Sequence, residues 1–124
     1  MTLTTLVTGA HASAREAAIS EAIDTSYSTA LILEGLPDGT APLESINGLT
    51  NIHIARIAPG CPCCTGNLTM RVTLNRILRR PPTRLFISLA SADHLEQIRR
   101  FLQQPPYDNL LTLTEDLQVR SSRS

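Results

Sequence analysis

The sequence predicts an α/β fold: one domain on a mostly parallel sheet of about five strands with flanking helices. Three observations predict it. Short apolar runs of strand length alternate along the chain with segments of helical period. The order helix, Pro-Pro, strand occurs twice, at Pro81-Pro82 and at Pro105-Pro106. A chain of 124 residues has the length of one domain and can bury a sizeable core.

Each element has its own signal. Leu3 to Val7 reads as a strand that ends at Thr8-Gly9. Ser13-x-x-Glu16 has the spacing of a capping box, in which Ser13 and Glu16 would satisfy the first amides of a helix running to about Asp24. Ser28 to Leu33 reads as a short buried strand of the kind parallel sheets use. Residues 35–50 hold Gly, Pro and Asp and read as loop. Asn51 to Ile57 is a third strand, followed by Ala58-Pro59-Gly60.

Asn67 to Arg80 carries the clearest helical period, with Met70, Leu74, Ile77 and Leu78 on one stripe and a basic last turn before Pro81. Leu85 to Leu89 is a fourth strand. Ser91 can cap a helix from Ala92 to Leu102, and Leu110 to Thr114 is a fifth strand. Residues 1–114 form the predicted domain; Glu115 to Ser124 is a polar tail expected to fray.

Composition narrows the chemistry. Eleven basic side chains balance eleven acidic ones, and all eleven are arginine. Without lysine there is no Schiff base, no lysine general base and no P-loop lysine on a phosphate. Zero formal charge and 3% aromatics argue against nucleic acid and membrane surfaces as partners, despite the arginines at 71, 76, 79, 80, 99 and 100. A solvated helix face and favourable last turns explain those arginines. No apolar run approaches the roughly 20 residues of a membrane helix. The first residues lack the basic n-region of a signal peptide. Cys61, Cys63 and Cys64 are odd in number and clustered, unlike a secreted disulfide framework. They point to a reducing, cytoplasmic compartment.

Gly60-Cys61-Pro62-Cys63-Cys64 is the segment richest in chemistry. Thiolates are soft ligands that hold zinc at about 2.3 Å. Three of them on one turn leave a fourth position for water, another side chain or a partner's ligand, which suits metal transfer. The cysteines follow the third strand and therefore fall at the carboxyl edge of a parallel sheet, where α/β folds bind ligands. His94 follows the fourth strand and His11 the first, so both belong to that edge; His94 is the preferred fourth ligand. His53 lies about 26 Å back along its strand, at roughly 3.3 Å per residue, and is expected to be a strand histidine. Thiol redox chemistry, or no role, are the other readings of the cysteines.

The turn after the first strand stands where a phosphate-binding loop would. A working G-x-x-x-x-G-K-[ST] needs glycines for close backbone approach, a lysine on phosphate and a hydroxyl on magnesium. Counted from Gly9, the corresponding positions are Ala14, Arg15 and Glu16. Glu16 would repel phosphate, and its expected role is that of the capping-box acceptor.

Thr8-Gly9 after the first strand, Gly60-Cys-Pro-Cys-Cys-Thr65 after the third, and Ala92-Asp93 after the fourth together resemble the CobW-type metallochaperone GTPases. The resemblance runs from about Thr4 to Thr114. It implies a P-loop-NTPase-like sheet and a zinc or related metal site on the cysteines. In that family GTP hydrolysis drives metal delivery to a client. Here the P-loop residues have become Ala12, Ala14, Arg15 and Glu16. The acidic residue and glycine expected after the fourth strand are missing from Ile87 to Ser91, and there is no guanine-reading N-K-x-D. The resemblance therefore implies a degenerate, shortened member that binds zinc through Cys61, Cys63 and Cys64, without GTP as cofactor and without catalytic residues; His94 joins the site by its place after the fourth strand. Two other functions remain open: a non-catalytic interaction or accessory module on an NTPase scaffold, and a thiol redox protein.

Overall fold

A computed structural model describes residues 2–9, 11–24, 26–35, 51–57, 66–90 and 95–119, with the side chains of 66–68 left aside. The chain forms the expected α/β fold. In order come β1 (Thr2–Thr8), α1 (Ala12–Ala22), β2 (Thr29–Glu34), β3 (Ile52–Ile57), α2 (Gly66–Leu78), β4 (Arg84–Ser88), α3 (Leu95–Leu102), a 3-10 turn at Tyr107–Asn109, β5 (Leu111–Leu113) and β6 (Leu117–Gln118). The sheet order is β3-β2-β4-β1-β5, with β6 also paired to β1, and every pairing is parallel. No helix among the described residues is long and apolar enough to cross a membrane.

The periodicities of the sequence account for the two layers of packing. On one face, α2 and α3 supply Met70, Leu74, Ile77, Ile98 and Leu102 to a core shared with Leu6, Ile32, Leu85 and Ile87. On the other face the cluster is smaller: Val7, Ile19, Leu31, Leu33 and Phe86. Alternation along each strand sends successive side chains to opposite faces, so Leu6 and Val7 enter different cores. Tyr107 closes one end of the larger core, its ring 4.9 Å from that of Phe101 and its hydroxyl donating to Asn75 at 2.7 Å.

β1 is an interior strand, between β4 and the β5–β6 side, yet four of its seven residues are buried threonines. Their branched side chains suit a strand, and hydroxyl bonds hold two of them to neighbouring segments. Thr2 Oγ1 donates to the Pro82 carbonyl at 2.6 Å, and Thr5 Oγ1 meets Thr114 Oγ1 at 2.6 Å.

Two local expectations are corrected. In the tail expected to fray from Glu115, the described residues 115–119 are held: Leu117 and Gln118 pair with Val7 and Thr8, and the Val119 amide donates to the Thr8 carbonyl at 2.8 Å. The interruption between β5 and β6 lets Asp116 pair with Arg99 of α3. The start of α1 also differs. Its N-cap is His11, whose Nδ1 accepts from the Ala14 amide at 3.3 Å. Ser13 already lies inside the helix, and Glu16 is engaged elsewhere, so the capping box does not form.

Gly9 shows how closely β6 approaches. Its φ is +97°, and a Cβ there would sit 2.2 Å from the Val119 carbonyl oxygen. Gly9→Ala therefore combines left-handed strain with a backbone clash. We expect it to cost about 1–3 kcal/mol in urea unfolding. The Val119 amide should lose hydrogen-exchange protection before the amides of β2 do; unchanged stability and protection would refute this account.

Candidate functional site

β1 and β4 are neighbours whose connections run to opposite faces: α1 packs on the smaller core, α3 on the larger. Such a switch in direction opens a crevice outside the carboxyl ends of the strands, the usual ligand position in this architecture. Register fixes what faces it. Val7 pairs with Ser88, Ser88 with Leu33, and Leu33 with Arg56. Residues level with one another in parallel strands point to the same face. Val7 and Leu33 belong to the α1-side core, so Ser88 and Arg56 also face α1.

α1 meets this row with charge. Its buried residues are Ser13, Arg15, Glu16 and Ile19, a set with only one aliphatic side chain. Arg15 is 3% exposed; its Nε donates to Ser88 Oγ at 2.8 Å and one terminal nitrogen to the Gly9 carbonyl at 3.2 Å. Burial holds the Arg15 guanidinium below its ordinary pKa, opposed by the carboxylates of Glu34 and Glu16. The group stays charged at any physiological pH.

Glu16 is 1% exposed and is gripped by both terminal nitrogens of Arg56, at 2.9 and 3.1 Å. The hydrogen bonds to Glu16 raise the Arg56 pKa above its ordinary value against a smaller desolvation effect. At the end of β2, Glu34 accepts from the Ala90 amide at 2.9 Å and so ties the exit of β4 to its neighbour.

The crevice thus holds two guanidiniums and two carboxylates. Arg15 occupies the position of a P-loop lysine, but it donates to the loop's own Gly9 carbonyl and to β4. Both arginines of this crevice are thus engaged by the protein itself. Sequence reasoning had singled out Arg15 and Glu16 as remnants of a lost loop. It missed Glu34, Arg56 and Ser88 as their partners. The available signal was a charged residue at or next to the end of each of two strands, Ala30-Leu-Ile-Leu-Glu34 and Ile52-His-Ile-Ala-Arg56-Ile57.

The predicted metal ligands Cys61, Cys63, Cys64 and His94 lie outside the described residues. What is described is the scaffold on either side of them. β3 ends at Ile57 and α2 begins at Gly66, so the cysteines belong to the connection leaving the carboxyl end of β3. His94 immediately precedes Leu95, the first residue of α3, on the connection leaving β4. β3 and β4 are separated only by β2, about 10 Å apart. His53 pairs with Ala30 near the amino end of β3, as expected of a strand histidine. His11 has its Nδ1 committed to the α1 cap. Among the described residues no three His, Cys, Asp or Glu side chains form a metal-binding group.

Comparison with known proteins yields no match to a family model, a curated protein or a solved structure.

The ionic contact between α1 and the sheet is testable. Glu16 is fully buried while Arg56 is about a third exposed, so solvent screens part of the pair's energy. Glu16→Gln should destabilise the fold by about 1–3 kcal/mol, and Arg56→Ala by a similar amount. In a double-mutant cycle the two losses should be strongly non-additive. Additive losses in chemical denaturation would remove the pair as the link between α1 and β3.

Proposed function

We propose that this protein binds zinc through Cys61, Cys63 and Cys64, with His94 as fourth ligand, and handles metal without hydrolysing nucleotide, as a degenerate relative of the CobW-type metallochaperones. One observation carries the reading. The connections bearing the three cysteines and His94 leave parallel strands at the same edge of the sheet, separated by a single strand. The physical chemistry agrees: three thiolates and an imidazole form a donor set suited to tetrahedral zinc.

The second half of the reading, no nucleotide hydrolysis, is supported by Arg15. A lysine that serves phosphate keeps its charge free for the ligand. Arg15 is instead satisfied by Ser88 and Gly9, and Glu16 is held by Arg56 beside it. A metal site of this kind requires reduced thiols, which fits a cytoplasmic setting and delivery to a client protein.

The test is zinc titration under reducing conditions. The wild-type chain should bind one zinc, and the Cys61→Ser, Cys63→Ser, Cys64→Ser triple variant should bind none. His94→Ala should weaken binding by about 10- to 100-fold. Mg-GTP should give neither binding heat nor phosphate release. A wild-type chain with no zinc affinity overturns the metal reading, and micromolar GTP affinity overturns the account of the loop.

A further inference from the structure

At the opposite edge of the sheet lies a cavity of about 470 Å³, within the size range of small-molecule sites. It sits where the amino ends of β2 and β3 meet the last turn of α2 and the Pro81-Pro82 segment. Its base is apolar and buried: Ala30, Ile77 and Pro82. Three exposed arginines stand around it, Arg76, Arg79 and Arg80, with His53 across from them on the edge strand. None of the described lining residues is acidic. Among the described residues these three arginines enter no ion pair.

We propose that this cavity binds a phosphate monoester carried on a small apolar body. The argument is one of complementarity. Guanidiniums match phosphate oxygens with paired N–H donors, and more than one of them is needed to neutralise a dianion. The apolar base gives the rest of the molecule a surface to cover, and inorganic phosphate would leave that surface wet. The negative end of the α2 dipole favours arginine in its last turn, but it does not require three of them to border one cavity with an apolar base. The site is separate from the cysteine connection, which leaves the other end of β3, and it stands whether or not zinc binds there.

The experiment uses the full chain in phosphate-free buffer, titrated with phenyl phosphate by calorimetry and by amide chemical shifts. Saturable one-to-one binding is expected, with shifts at Ala30, Asn51 and His53. The Arg76→Ala, Arg79→Ala, Arg80→Ala variant should bind at least about tenfold more weakly, while Arg100→Ala on α3 should bind as wild type. Inorganic phosphate and phenol should each bind at least about tenfold more weakly than phenyl phosphate. The proposal is overturned by the absence of saturable phenyl phosphate binding or by an unaltered affinity in the triple arginine variant. It is equally overturned if inorganic phosphate matches phenyl phosphate, or if the shifts centre on Gly9 and Ser88.

Discussion

The contact on which the carboxyl edge depends is ionic. α1 would ordinarily lie on the sheet through a stripe of aliphatic side chains. Here the sheet offers Ser88 and Arg56 in one register row, and the helix answers with Arg15 and Glu16. Such a contact is directional where an aliphatic one is not. Arg15 must reach Ser88 and Glu16 must reach Arg56 at the same time, and the two residues are adjacent in the helix. Rotation or translation of α1 would break one bond or both and leave charge buried without a partner. Ile19 supplies apolar burial beneath the helix, and the Glu16–Arg56 ion pair together with the Arg15–Ser88 hydrogen bond sets its orientation.

That orientation governs the turn before α1. Arg15 reaches back to the Gly9 carbonyl while β6 lies against Gly9 from the other side. The turn is therefore held between a guanidinium and a strand. A phosphate-binding loop needs its amide groups open to an incoming anion. In this turn Arg15 bonds the Gly9 carbonyl, and the two guanidiniums and two carboxylates nearby balance in charge. The connection that carries the cysteines leaves β3, on the far side of β2, at the same edge.

Much of this architecture was legible in the sequence because it rests on local pattern. The apolar run at residues 30–33, the 3.6-residue stripe from Met70 to Leu78 and the paired prolines each mark an element whichever neighbour it finds. Sheet order and ion pairing were less legible. Glu16 and Arg56 are forty residues apart, and Ser13-x-x-Glu16 offered a shorter explanation of Glu16. It failed because His11 caps the helix two residues earlier. β6 was hidden because Leu117 and Gln118 are too few to show a period; they form a strand only because β1 extends past β5 and leaves Val7 and Thr8 available. For the candidate site, the cysteines, His94 and the altered loop were readable as residue types in order. The partners that close the loop were not, since register decides them.

The placement of β1 and β6 also bears on handling the protein. The chain enters the sheet at Thr2, whose hydroxyl bonds Pro82, a residue of the arginine-lined cavity. It leaves the described fold at Val119, against the turn that follows β1. Affinity tags at the two ends are therefore not equivalent. An appendage joined beyond Val119 starts from the carboxyl edge of the sheet, and an acidic epitope before Thr2 starts beside Pro82, near the three arginines. Each edge is best measured with the appendage on the other terminus.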